Sequence, residues 1–225
     1  MKRLLLILIL TFSFQSLSKA DDIRDFEIAG ISIGDSLLDF YSVEQILNQK
    51  KNGFIYTNKK YFTARFKNTN GNLYEYLQFQ IKDKKQNYYK DDEFIPSEFE
   101  YLKSFKTYDA IQITYKKNDL SYQIYGVAGF LDFPKNIKDC YKKKNEITDE
   151  ISSLFPNKQF KHSKIKHRAD TSGKSIKTRS EIFLETGSIT VSCDDWSKKI
   201  GYMDVLRIDI STNDFNDWLR DKAYN

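Results

Sequence analysis

Apolar and polar positions alternate with a period of two along several stretches of the chain. Phe62, Ala64 and Phe66 alternate with Tyr61, Thr63 and Arg65; Leu77, Phe79 and Ile81 alternate with Tyr76, Gln78 and Gln80; Ile111, Ile113 and Tyr115 alternate with Gln112, Thr114 and Lys116. Such a period sends the apolar set to one side of a strand, so these segments predict a sheet with one buried and one wet face. Asn70-Gly71-Asn72 is a hairpin-turn sequence between the first two segments, and Lys117-Asn118-Asp119 turns the chain after the third. A return strand is predicted over residues 120–131, where Gly126 and Gly129 mark a bulge. Four more strands are predicted over 158–168, 175–185, 188–196 and 202–211, with Thr186-Gly187 as a hairpin turn.

Helical spacing replaces alternation in three places. Residues 136–155 carry Ile137, Cys140, Tyr141, Ile147, Ile151, Leu154 and Phe155 at intervals of three and four, with Pro134 before and Pro156 after. Near the start, Phe26, Ile28, Ile31 and Ile33 straddle Gly30 as short extended segments. Ser36 with Asp39, and then Ser42 with Gln45, have capping-box spacing, which predicts two short helical pieces. At the end, Ser211 with Asp214 has the spacing of a cap, and Phe215, Trp218 and Leu219 form the apolar stripe of a last helix. Residues 83–106 are charged and aromatic without a period, an exposed connection in which Pro96-Ser97 and Glu100 can start a short helix. Strands, helix, strands and helix in that order predict an α+β fold, an antiparallel sheet with helices packed against it.

The first residues change the picture of where this domain works. Lys2 and Arg3 precede the apolar run Leu4 to Phe14, which is too short to span a bilayer, and Ser18 and Ala20 are small residues before a cleavage point. Residues 1–20 therefore read as a secretory signal peptide, the alternative being an uncleaved anchor, and residues 21–225 as a single domain, periplasmic or extracellular. Nothing after residue 20 approaches the length of a transmembrane helix. The leader takes Lys2, Arg3 and Lys19 with it, so the mature chain carries 33 basic against 31 acidic residues. Its many Lys, Asn, Tyr, Phe and Ile residues are those favoured by AT-rich codons, a plainer cause than nucleic-acid binding.

Export gives meaning to the two cysteines. An even count in an oxidising compartment points to a pair, the alternative being two buried thiols. Cys140 lies on the apolar side of the long helix, and Cys193 shares a strand face with Ile189 and Val191. A Cys140–Cys193 bridge would staple helix to sheet.

The opening DDIRDFEIAGISIGDSLLDF, the helix around DCYKK and the later Gly173-Lys174-Ser175 turn resemble an uncharacterised family of small exported bacterial proteins. The resemblance spans nearly the whole mature chain and implies a shared fold, with no activity, cofactor or catalytic residue attached. The strand–glycine–helix opening is also similar to that of small outer-membrane-assembly lipoproteins, but no cysteine stands near the cleavage point to take a lipid.

Gly173-Lys174-Ser175 ends like a phosphate-binding loop, yet the position five residues before Gly173 is Arg168, and SIKTRSEIFLE after it alternates like a strand rather than opening a helix. No nucleotide is expected there; Asp170 to Ser175 reads as a turn with Gly173 at positive φ. Around it, residues 158–179 hold eight basic residues and one acid, Asp170. Lys161, Lys164, Lys166, Arg168, Lys174, Lys177 and Arg179 are the candidate contacts for an anionic partner, whether an envelope surface or an acidic protein face, with nucleic acid a weaker option. Apolar residues are sparse in this stretch, so it is expected to protrude; the plain alternative is a solvated hairpin whose charge protects a strand edge.

His162 and His167, the only histidines, fall on opposite faces of a strand and cannot share a metal. No metal-ligand spacing, cofactor motif or G-x-S-x-G is present. Glu181 and Glu185 would share a face, and Asp194-Asp195 adjoin Cys193; Glu181 and Glu185 are expected to face water rather than to form a glycosidase pair. The function expected is a non-catalytic binding or scaffolding domain of the cell envelope. The alternative is an envelope hydrolase with a dispersed Ser/His/carboxylate site.

Overall fold

The computed structural model describes residues 22–67 and 107–224. The leader, the alternating stretch at 76–81, the turn Asn70-Gly71-Asn72 and the start at Pro96 lie outside the described residues. Near the N-terminus, Glu27–Ile28 (β1) and Ile31–Ser32 (β2) pair antiparallel across Ala29 and Gly30, both at positive φ. A one-turn 3-10 helix, Leu37–Asp39, and helix α1, Val43–Gln49, follow. Each opens with a full capping box, Ser36 with Asp39 and Ser42 with Gln45, so side chains satisfy amides that have no partner within the helix. Phe54–Ile55 (β3) is a two-residue strand that no alternation announces, whereas the alternating segments become Tyr61–Lys67 (β4) and Ala110–Lys116 (β5).

The return strand β6 runs Ile124–Phe133 and starts later than the sequence pattern predicts. Asp119 Oδ1 accepts hydrogen bonds from the amide and hydroxyl of Ser121, at 2.9 and 2.6 Å, and Asn118 and Tyr122 both take positive φ. The turn therefore extends to Tyr122 and leaves Leu120 84% exposed. Thr114 faces Gly126 but Tyr115 faces Ile124, so Tyr125 is the extra residue of a bulge beside Gly126. Gly129 has another reason to be glycine: a Cβ there would lie 2.4 Å from the ring of Tyr108.

Helix α2, Ile137–Leu154, is capped by Asn136, whose side chain accepts from the Lys138 amide. Then come Lys161–Lys166 (β7), Ile176–Phe183 (β8), Gly187–Asp195 (β9), Asp204–Thr212 (β10) and helix α3, Asn213–Asp221. The cap of α3 lies one residue later than expected: Thr212 takes the Phe215 amide, and Ser211 instead donates to Asn216.

β3 to β10 form one eight-stranded antiparallel sheet in the order β3-β4-β5-β6-β10-β9-β8-β7. Because β10 inserts between β6 and β9, the last strand is central and β7 is an edge. The first face of the sheet carries Ile111, Ile113, Val127, Ile189 and Ile210 beneath the N-terminal elements, and Val191, Cys193 and Leu206 beneath α2. Each such aliphatic side chain, fully buried, contributes about 1.5–3 kcal/mol. The Cys140–Cys193 disulfide joins α2 to β9 across a Cα–Cα distance of 6.1 Å, with both residues fully buried. Helix α3 lies against the second face, where Phe215 and Trp218 meet the Tyr61 ring at centroid distances of 5.0 and 4.6 Å. Away from α3 the second face is mixed: Phe130, Val205 and Phe183 lie among Gln112, Arg179, Glu181, Ser192, Arg207 and Asp209.

The basic hairpin does not protrude. β7 and β8 are the outer two strands of the sheet, paired from Lys161–Glu181 to Lys166–Ile176, and β8 is paired along its length with β9. Backbone pairing, not apolar burial, holds β7, whose side chains are exposed except for a half-buried Ser163.

Candidate functional site

The Gly173-Lys174-Ser175 turn closes on its own carboxylate. Asp170 accepts from the amides of Ser172 and Ser175, both at 2.8 Å, from Ser175 Oγ at 2.6 Å and from Ser197 Oγ at 3.2 Å. Hydrogen bonds from Ser172 and Ser175 hold this carboxyl well below the usual range. Gly173 supplies the positive φ that the turn requires. The Ser172 and Ser175 amides of the turn are thus both bonded to Asp170. Ser197 also donates its amide to Ser175 Oγ at 2.9 Å, which pins the segment after β9 to the turn. Exposed Lys198 and Lys199 thereby join the basic end of the sheet edge, a neighbourhood made only by the fold.

The fold divides the seven candidate anion contacts. Lys161, Lys164, Lys166, Arg168 and Lys174 are exposed, and none forms an ion pair among the described residues. Lys177 and Arg179 belong instead to the second face. Lys177 Nζ is 3.2 Å from Asp194 Oδ1; Arg179 lies 3.5 Å from Glu181 Oε2 and donates to Ser163 Oγ at 3.0 Å. Glu181 is therefore not the water-facing acid expected, whereas Glu185 is exposed as expected. Glu181 is half-buried beneath Arg179 and Thr190, and Asp194 is 6% exposed.

The two histidines separate as strand geometry requires. His162 faces α2: its Nδ1 lies 2.9 Å from Ser180 Oγ, which also accepts from Lys144 Nζ at 2.8 Å. Ser180 is fully buried, and burial lowers the pKa of Lys144. No hydrogen bond or ion pair joins a carboxylate to His162 among the described residues. His167 is on the second face and is less exposed than its basic setting implies. Its ring lies 4.0 Å from that of Trp196, its Nδ1 accepts from the Ala169 amide at 3.2 Å, and its Nε2 is 3.7 Å from Asp194 Oδ2. That backbone bond places the proton of the neutral ring on Nε2, and burial lowers the pKa against the pull of Asp194.

Between β8, β9, β10 and α3 the second face forms a basin of about 260 Å³. Its floor holds Arg179 and Glu181 from β8, Thr190 and Ser192 from β9, and Arg207 and Asp209 from β10. Arg207 Nε donates to Asp209 Oδ1 and Oδ2 at 2.7 and 2.8 Å, and its guanidinium lies over the Phe130 ring at 5.1 Å. Sequence reading missed Arg207, Asp209 and Ser192. The available signal is the repeated spacing of a basic and an acidic residue two apart, Arg179-Ser180-Glu181 and Arg207-Ile208-Asp209. Among the described residues no group of three His, Cys, Asp or Glu side chains is placed to hold a metal, and no helix is long and apolar enough to cross a membrane.

No family model, no curated protein and no solved structure matches this chain.

Proposed function

We propose that the protein is an exported, non-catalytic binding domain of the cell envelope whose basic sheet edge engages an anionic partner. The observation that carries this reading is the concentration of exposed, unpaired cations on β7 and its turn: Lys161, Lys164, Lys166, Arg168 and Lys174, with Lys198 and Lys199 beside them. Their neighbours Lys177 and Arg179 are neutralised by carboxylates, so the positive charge is concentrated on the rim. The leader-like pattern of residues 1–20 supports an exported domain of the envelope, where anionic headgroups and polymers would supply the complementary charge. Each basic residue near an anionic leaflet contributes about 1 kcal/mol. Replacing Lys164, Lys166, Arg168 and Lys174 together by Ser should weaken low-salt binding to phosphatidylglycerol vesicles by roughly two to three orders of magnitude. Unchanged affinity in a co-sedimentation assay, or no binding of the natural chain at low salt, refutes the proposal.

The hydrolase reading has one observation in its favour, the contact of His162 with Ser180 beside Lys144. It is the weaker one because the Ser180 hydroxyl is sealed between sheet and helix, and its partners already account for its hydrogen bonds. Covalent labelling of Ser180 by a fluorophosphonate would reverse this preference.

A further inference from the structure

We infer that the basin on the second face is a binding site for a small, neutral, polyhydroxylated ligand, a saccharide unit. The argument begins with register. Arg179 and Arg207 are both paired directly with Ser192, so two guanidiniums flank one serine across three adjacent strands. One step along the same face, Glu181 and Asp209 are both paired with Thr190, so two carboxylates flank one threonine. A row of donors therefore lies beside a row of acceptors.

Ser192 is 1% exposed, lines the basin, and its Oγ has no hydrogen-bond partner among the described residues. Gln112 Oε1, on the β5 side of the same basin, is likewise without a partner. Buried polar atoms left unpaired are rare and call for an occupant that pairs with them. The charges then select its class. Lys177, Arg179 and Arg207 each already have a carboxylate, in Asp194, Glu181 and Asp209. An anion entering here meets the carboxylates, and a cation meets the guanidiniums. A hydroxyl donates and accepts at once, so it can bridge the two rows without breaking any ion pair. Tyr56, Phe215 and Leu219 give the basin an apolar side, suited to the C–H face of a sugar ring. At about 260 Å³ the space is below the range of drug-sized clefts and suits a single ring.

The site is independent of the basic edge, and the test separates them. A chain of residues 21–225 is titrated with glucose, galactose, N-acetylglucosamine and chitotriose, read by saturation-transfer NMR and calorimetry. Glycine and inorganic phosphate serve as zwitterionic and anionic controls. Saturable binding of at least one sugar is expected. Ser192→Val should weaken it at least tenfold, and so should Leu219→Trp, which fills the basin from the helix side without altering the sheet. The four-serine variant of the edge should bind sugar normally. Retained thermal midpoints show that the variants remain folded. The inference is overturned if no sugar binds saturably, if glycine or phosphate binds in place of sugar, or if sugar binding is unmoved in both basin variants.

Discussion

The disulfide provides the most quantitative stability test. Cys140 and Cys193 are separated by 53 residues, and the bridge ties the long helix to a central strand of the sheet. In the chain-entropy model, closing a loop of that length removes freedom from the unfolded chain worth about 4 kcal/mol. Both residues are fully buried against Val191 and Leu206, so replacing both by alanine also leaves a small void, which adds to the loss. For a domain of this size a urea slope of about 2 kcal/mol/M is expected, so the unfolding midpoint of Cys140→Ala/Cys193→Ala should fall by about 2 M. The assay is equilibrium urea unfolding of both proteins, followed by tryptophan fluorescence and circular dichroism. In parallel, the natural chain denatured without reductant should show no alkylatable thiol. A midpoint within about 0.3 M of the natural chain, at equal slope, would refute the reasoning.

Two further predictions rest on single positions. Burial, with repulsion from Asp109, pushes the Asp132 carboxyl up to about 6 from an ordinary value of 3.8. The folded state therefore holds this proton more tightly than the unfolded chain, and the stability contribution of Asp132 is lost as pH rises through about 6. Asp132→Asn should raise the thermal midpoint at pH 7 to 8 and change it little at pH 4; a pH-independent difference would contradict this. At Gly187 an added Cβ would lie 2.1 Å from the Ser211 carbonyl oxygen and 2.5 Å from Ile23 Cδ1. Gly187→Ala should destabilise by about 1–3 kcal/mol in urea unfolding, and an unchanged midpoint would show that β9 and β10 can separate there without cost.

What the sequence discloses follows from what it encodes locally. Alternation marks β4 and β5 because half of each strand faces the core, and the capping boxes at Ser36 and Ser42 are read directly because a cap is a contact between near neighbours. The cysteine pairing follows from two local patterns, the helical stripe bearing Cys140 and the strand face bearing Cys193. The late start of β6 was hidden because Asp119, Ser121 and the positive φ of Tyr122 outweigh the strand propensity of the neighbouring residues. Sparse apolar content misrepresented the basic hairpin, because an edge strand such as β7 is held by its backbone and needs little core. The basin was invisible for a different reason. Arg179, Ser192 and Arg207 become neighbours only through the registers of β8, β9 and β10, which pairing across the sheet determines.

The central claim is that the basic edge is the surface through which the protein meets its partner. Amide hydrogen exchange of residues 21–225, with and without phosphatidylglycerol vesicles at low salt, tests it most directly. Slowed exchange concentrated in residues 161–179 and 197–200 is predicted, lost when salt is raised. Protection elsewhere in the chain with none on β7, or protection that survives high salt, would contradict the account.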